Sequence, residues 1–261
     1  MKHILVSAIA LALTAIACTT PASKAPTICA HRGFWKCPDA PNHENSLTSL
    51  RMAQEYGFWG SEFDVHVSAD DIVVVHHNDS TLSGLDIHTS TYEQLAATAL
   101  PNGEVIPTID MYLEQGEKSD CMLVCEFKEE GIRERADKMI DVTVDALKAH
   151  GLFDPARVMF ISFDLEVCKR IAAEYPEFTN QYLEGDLSPK EVKDLGINGI
   201  DYDYAVFYEH PEWIAQAHEL GMSVNSWTVN TREDMEYLIG LGIDCITTNE
   251  PLLLREILES K

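Results

Sequence analysis

The chain has 261 residues, seven cysteines and a formal net charge of −24, from 43 acidic against 19 basic side chains. So acidic a surface argues against nucleic acid and against an anionic lipid face as standing partners, because both repel it. An anionic substrate would have to find positive charge concentrated at one place, since the overall field opposes it.

At the N-terminus, Lys2 precedes an apolar run from Ile4 to Ile16, and Ala15-Ile16-Ala17 lead into Cys18. The run is shorter than the roughly 20 apolar residues that span a bilayer, so residues 1–17 read as an export signal peptide. A cysteine directly after small residues is the pattern of a bacterial lipobox, with Ala15 where leucine is more usual. It predicts a lipid on Cys18, a tether over residues 18–26, and a place in the bacterial periplasm or cell envelope. Membrane contact is expected through Cys18 only; the oligomeric state is not legible.

Residues 27–261 suit one domain, with short β-rich runs alternating with amphipathic stretches. Strands are expected at 28–31, 61–67, 122–128, 158–162, 179–183, 199–203, 223–229 and 245–248. Helices are expected at 46–56, 132–150, 165–174, 189–195, 211–220, 232–239 and 251–258. Asn45, Asp164, Ser188, Thr231 and Asn249 stand where N-caps belong, and Pro189, Pro211 and Pro251 suit first turns. Eight strands in this alternation predict an α/β fold, a (β/α)8 TIM barrel. The alternation breaks once. An insertion at 71–116, between strands 2 and 3, holds an extra strand at 72–77, a helical piece near 92–97 and a return helix near 108–114. An excursion of that length is expected to form a lid or rim over the site. No GxGxxG or GxxxxGK[ST] loop supports the alternative of an open doubly wound sheet.

With Cys18 set aside, six cysteines remain. Cys121 and Cys125 lie roughly 13 Å apart along one strand, too far to bridge each other. Cys29, Cys121, Cys125 and Cys245 all fall in apolar strands, so mostly free buried thiols are expected.

The chemistry is concentrated in a few positions. Glu62 and Asp64 alternate on one strand, so both carboxylates point to one face with Cα atoms roughly 6.5–7 Å apart. Like charges so placed repel unless a divalent cation joins them. Glu126 and Lys128 share one face of the strand at 122–128, while Cys125 and Phe127 point the other way. Arg32 and Lys128 supply cations for a phosphate. His31 and either His76 or His77 titrate near neutrality and suit proton transfer. His66, two residues beyond Asp64, is expected beside the metal ligands, as is Glu44; Asn45 is expected to cap the helix that follows. Trp227 ends a strand and would pack on the substrate.

In this order, His31-Arg32-Gly33, Glu44-Asn45-Ser46, Glu62-Phe63-Asp64 and Val73-Val74-Val75-His76-His77 resemble the glycerophosphodiester phosphodiesterase family. The likeness continues through Glu126-Phe127-Lys128, Ser226-Trp227-Thr228 and Thr248-Asn249-Glu250-Pro251, and so covers nearly all of residues 28–261. The chain departs from the pattern after the valines. Its segment is one residue longer, has Asn78 where an aspartate is usual, and lacks the arginine that commonly follows; alignment from the valines favours His77 over His76. The resemblance implies one divalent cation, Mg²⁺ or Ca²⁺, on Glu62, Asp64 and Glu126. It implies His31 and His77 as acid and base, and Arg32, Lys128 and Trp227 as substrate contacts. The implied reaction is hydrolysis of a small-molecule glycerophosphodiester to glycerol 3-phosphate and an alcohol. Two other readings stand beside it. A phospholipase C or lysophospholipase D acting on lipid would use an apolar rim, for which Phe34-Trp35 and Phe58-Trp59 are candidates. A non-catalytic lipoprotein binding a phosphate ligand would keep the barrel alone.

Overall fold

A computed structural model describes residues 25–40 and 42–260. The signal peptide, Cys18 and most of the tether lie outside the described residues.

In chain order the elements begin with β1 (Thr27–Ala30), α1 (Leu47–Glu55), β2 (Gly60–Val67) and β3 (Val73–Val75). A 3-10 turn (Ile87–Thr89), α2 (Tyr92–Ala96), α3 (Ile109–Gly116), β4 (Met122–Phe127) and α4 (Arg133–Ala149) follow. Then come β5 (Val158–Ser162), α5 (Leu165–Glu174), β6 (Asn180–Tyr182), α6 (Pro189–Asp194), β7 (Gly199–Asp203) and α7 (Tyr204–Glu209). The chain ends with α8 (Glu212–Glu219), β8 (Ser223–Trp227), α9 (Arg232–Leu241), β9 (Cys245–Thr248) and α10 (Pro251–Glu259). Eight of these strands are parallel neighbours in a ring, closed where β1 pairs with both β9 and β2. The expected TIM barrel is therefore the fold. Only β3 stands outside the ring, antiparallel on the upper part of β2 through Val65↔Val75 and Val67↔Val73. That edge of β2 is free for β3 because β1 takes only Gly60 and Ser61 of it.

Alternation along each strand sorts side chains into layers. Leu123, Cys125 and Phe127 of β4 face outward into the helix layer, against Ile140, Leu147 and Phe160. Val124 faces the barrel axis with Cys29, Met159, Ile161, Leu183 and Cys245. Glu126 carries that inner face up to the C-terminal mouth, where sites of this fold lie. The six cysteines at 29, 37, 121, 125, 168 and 245 are all buried free thiols.

The insertion is a packed flank and not a lid. Val74, Ile87, Leu95, Leu100 and Ile106 form a small core of their own. Glu104 accepts the Leu47 and Thr48 amides at 2.8 and 3.2 Å, placing a carboxylate at the positive end of α1.

Three local expectations are corrected. Ser46 caps α1, accepting the Ser49 amide, and Asn45 does not. Asn249 does not cap α10, which starts at Pro251 after Glu250 with no side-chain cap. The helix α7 was not expected. Six residues are too few to show a helical period, yet Asp203 accepts the Ala205 amide at 2.8 Å and starts it ahead of Pro211. Among the described residues no helix is long and apolar enough to cross a membrane.

Candidate active site

The β2–β4 register pairs Asp64 directly with Glu126, and Glu62 with Val124 one repeat below. Oxygens from the three carboxylates consequently lie within 4.8 Å of one another, and all three residues are buried. Glu62 Oε1 and Asp64 Oδ1 are closed off from solvent and accept no hydrogen bond. Orphaned carboxylate oxygens converging on one point fit a hard divalent cation, which prefers oxygen donors.

Electrostatics divides the trio. Burial pushes the Glu62 carboxyl well up, and repulsion from Asp64 and Glu126 adds to it. Glu126 is pushed up to about 7, by burial first and then by Asp64. Asp64 goes the other way: burial would raise it, but Lys128, His77 and Arg32 together hold it below the usual carboxylate range. Lys128 Nζ donates to Glu126 Oε1 at 2.7 Å and lies 3.4 Å from Asp64 Oδ1.

The first two sequence motifs wrap this trio. Arg32 (φ 56°) and Gly33 (φ 77°) turn the chain just above β1. The turn lets the Arg32 amide donate to Glu62 Oε2 at 2.7 Å, and the Gly33 amide to the Glu62 carbonyl at 3.1 Å. A Cβ on Gly33 would meet Ser49 Oγ at 2.5 Å and the Ser49 backbone carbon at 2.7 Å, so no other residue fits there. Glu44 accepts from Arg32 Nη1 at 2.9 Å and so aims the guanidinium. Asn45 (φ 56°) donates Nδ2 to Asp64 Oδ2 at 2.8 Å and accepts the Asp64 amide at 3.2 Å. The residues of Glu44-Asn45-Ser46 thus divide the work: Glu44 holds Arg32, Asn45 holds Asp64 and Ser46 starts α1.

His31 Nδ1 lies 2.9 Å from Asn249 Oδ1, which also accepts from Trp35 Nε1 at 3.1 Å. Indole nitrogen can only donate, so this Asn249 atom is the oxygen and His31 Nδ1 carries the proton. The His31 Nε2 lone pair is left free, 3.9 Å from Glu62 Oε2. Burial and then Arg32 lower the His31 pKa to about 4, so the ring is neutral at pH 7. His77 sits beyond β3 with Nδ1 2.8 Å from Asn78 Oδ1, and burial lowers its pKa as well. His76 is buried with Nε2 facing the Ser80 carbonyl at 3.2 Å. Of the two it is His77 that reaches the site.

These groups line a cavity of about 340 Å³ at the C-terminal mouth. His31, Arg32, Glu62, His77 and Glu126 form a polar, ionisable wall, while Ile161, Phe163, Leu183 and Trp227 form an apolar one. Trp227 is fixed by Nε1 donating to the Asp201 carbonyl at 2.9 Å and by an edge contact with Phe163 at 5.3 Å. Of the insertion, only His77 lines this cavity. A second cavity of about 230 Å³ opens at the N-terminal mouth, lined by Trp59, Gln181, Asn225 and Asp244 among others. It holds no histidine or cationic side chain and cannot support the same chemistry.

Two residues depart from expectation. His66 makes no hydrogen bond to the carboxylate trio; it faces Glu130 at 3.3 Å and the His77 carbonyl at 3.3 Å, beneath the loop that carries His77. Asp201 was missed. It is buried in the cavity wall, both its carboxylate oxygens bond to nothing, and burial, then Glu126, raises its pKa well up. Its sequence signal is the pair Asp201 and Asp203, which alternate on one strand as Glu62 and Asp64 do.

The raised Glu126 carboxyl gives a stability prediction with a definite sign. A carboxyl whose folded pKa lies above its unfolded value holds a proton in the folded state that the unfolded chain has released. Its contribution is therefore lost as pH rises from about 4.5 to about 7. The buried His31, lowered to about 4, works in the opposite direction between about 4 and 6.5, so the curve of the whole protein mixes both signs. Comparison with Glu126→Gln isolates the carboxyl. In metal-free protein the two should melt alike near pH 4.5, and the variant should gain with rising pH, by an amount on the order of 3 kcal/mol. Saturating divalent cation should reverse the order. Parallel melting curves across that range would contradict a crowded, buried trio.

The glycerophosphoryl diester phosphodiesterase family model matches residues 31–253. A glycerophosphodiester phosphodiesterase of Caldanaerobacter subterraneus is 28% identical over 251 residues, covering 86% of this chain and 94% of its own. The crystal structure of a glycerophosphodiester phosphodiesterase from Parabacteroides distasonis superposes with a TM-score of 0.85 at 38% identity, covering 90% of this chain and 97% of that one. An Oleispira antarctica phosphodiesterase in complex with its product sn-glycerol-3-phosphate shares the fold, with a TM-score of 0.77 at 22% identity over 90% of this chain and 97% of that one.

Proposed function

The chain belongs to the glycerophosphoryl diester phosphodiesterase family, and from that premise we propose how its own residues release glycerol 3-phosphate from a water-soluble glycerophosphodiester. One observation carries the reading: three buried carboxylates, two cationic side chains and two imidazoles meet at the mouth of one barrel. The product bound by the Oleispira antarctica relative fits the same choice of substrate.

Glu62, Asp64 and Glu126 would hold one divalent cation, Mg²⁺ or Ca²⁺, which when bound supplies positive charge for the phosphoryl oxygens. Arg32, aimed by Glu44, and Lys128 receive the phosphate and offset the charge of the acidic chain. His31 presents an unprotonated Nε2 and suits the removal of a proton from the attacking hydroxyl. His77, on the more open side, suits protonation of the departing alcohol. Trp227 and Phe163 offer an apolar surface to the carbon skeleton.

Of the four aromatics that could build a lipid-binding rim, three lie away from the mouth, while Trp35 is half-buried and donates to Asn249 beside His31. Phe34 and Phe58 are 3% exposed and stack edge-on 5.2 Å apart in a core of their own. Trp59 lines the cavity at the opposite end of the barrel. Purified protein should therefore turn over glycerophosphocholine or glycerophosphoethanolamine with Mg²⁺ or Ca²⁺ and leave lysophospholipid micelles almost untouched. The reverse preference would establish a lipid phosphodiesterase, and no turnover of either would favour the non-catalytic binding protein.

From the N-terminal apolar run and the lipobox-like pattern before Cys18, we further propose that the enzyme sits in the cell envelope, held by a lipid on Cys18. Cys18→Ala should shift it from the membrane fraction to the soluble one with kcat unchanged, because among the described residues the site begins at His31. Unaltered pelleting would remove the anchor.

A further inference from the structure

Outside the carboxylate trio, a second set of ligand atoms converges. One atom each from His66, Asp79 and His88 lies within 4.8 Å of the others. The three come from β2, from the loop two residues past His77, and from the 3-10 turn of the insertion.

The hydrogen bonds around His66 fix its tautomer. Glu130, with a fully buried side chain, accepts the Val67 amide at 3.0 Å and Arg135 Nε at 3.1 Å. A carboxylate so paired is ionised and can only accept, so His66 Nδ1, at 3.3 Å, carries the proton toward it. The opposite nitrogen, Nε2, then turns a lone pair toward the His77 carbonyl at 3.3 Å and Asp79 Oδ1 at 3.9 Å. Three acceptors facing one another repel unless a cation stands between them. A proton on Nε2 would answer for His66 alone. It does not account for His88, whose ring also comes into the cluster while its Nε2, closed off from solvent, stays 3.5 Å from Glu130 Oε2 without a hydrogen bond.

We propose that His66, Asp79 and His88 form a second cation site, for an imidazole-preferring divalent ion of the Zn²⁺ or Co²⁺ class. Two histidines and one carboxylate suit such an ion and suit Mg²⁺ or Ca²⁺ poorly. Glu130 would orient His66 through Nδ1, the usual arrangement behind a metal-bound imidazole. Because Asp79 follows His77 closely and His66 touches the His77 carbonyl, the ion would pin the loop that carries His77. A scarce d-block ion would thereby set how firmly that histidine is held, independently of the cation on the trio.

Cobalt distinguishes the two sites, since histidine ligation at low coordination number gives visible absorption far stronger than an oxygen-only site. The full chain, saturated with Mg²⁺ to fill the trio, is titrated with Co²⁺ and the bound metal is counted. One equivalent of Co²⁺ with an intense visible band is expected. His88→Gln and Asp79→Asn should each abolish both, while Glu62→Gln should retain them. Zn²⁺ should raise the melting midpoint of the wild type and not that of His88→Gln. Circular dichroism confirms that the variants fold, and Asp79→Asn, at an exposed loop position, guards against failure of the other. A wild type with no band, or a band that survives His88→Gln and vanishes in Glu62→Gln, would overturn the proposal.

Discussion

Glu62→Gln, Asp64→Asn and Glu126→Gln should each abolish tight divalent binding and turnover together, with part of the rate returning at high metal concentration. Each change keeps the shape of the side chain and removes one charged oxygen from a buried trio. Loss of an outer hydrogen-bond partner of a metal ligand already costs about 10–100-fold in affinity or activity; loss of a ligand should cost more. Asn45→Ala provides the milder comparison, because its amide holds Asp64 by a 2.8 Å bond. Asp64→Asn should be the most severe of the three. Asp64 alone is held ionised by neighbouring cations, whereas Glu62 and Glu126 need the metal to ionise fully at pH 7. Calorimetric titration of Mg²⁺ or Ca²⁺, run beside turnover, checks the series. A variant that loses its metal but keeps full turnover would contradict metal dependence.

Period-2 alternation made much of this site legible in the sequence. Glu62 and Asp64 share one face of their strand by position alone, as Glu126 and Lys128 do on theirs, and the barrel turns those faces inward at one mouth. What the sequence withholds is the stagger between strands. The pairing Asp64↔Glu126 brings the two carboxylates together, and no local pattern encodes it. Asp201 repeats with Asp203 the alternating acids of Glu62 and Asp64, but it comes from the far side of the ring, and no local pattern says that its strand turns that acid toward the same cavity.

The two asparagines misread as caps show a different failure. Asn45 and Asn249 each precede a helix, where asparagine ordinarily satisfies free backbone amides. In the fold each has a stronger demand, one from the buried Asp64 and one from His31. Tertiary bonds to buried or reacting groups override a local preference worth about 1 kcal/mol. The insertion teaches the same lesson at larger scale. Its length suggests a lid or rim, but Ile87, Leu95, Leu100 and Ile106 pack most of it down as a flank, and His77 is its contribution to the mouth.

His31→Gln and His77→Gln should each lower kcat by at least about 10²-fold, the low end for general acid–base catalysis, with a smaller change in KM. Both rings line the cavity, and neither is required by the hydrophobic core. Asn249→Ala offers a separate check on His31. It removes the acceptor that holds the proton on Nδ1, so it should lower kcat through the wrong tautomer while leaving phosphate binding to Arg32 and Lys128 intact. The route by which these histidines act can be resolved with the substrate. The glycerol hydroxyl beside the phosphate can attack phosphorus within one molecule, forming a new P–O bond as the alcohol leaves and giving a cyclic phosphate that water then opens. Holding both reacting groups in one molecule removes much of the entropic cost of the first step. On this route His31 would take the hydroxyl proton and His77 would give one to the alcohol, and the roles would reverse in the second step. A glycerophosphodiester methylated on that hydroxyl keeps the phosphate and the apolar skeleton but has no proton to lose. It should bind as a competitive inhibitor and not turn over. Hydrolysis at a near-normal rate would mean direct attack by water, and the cyclic route would have to be given up while the two histidines kept their roles.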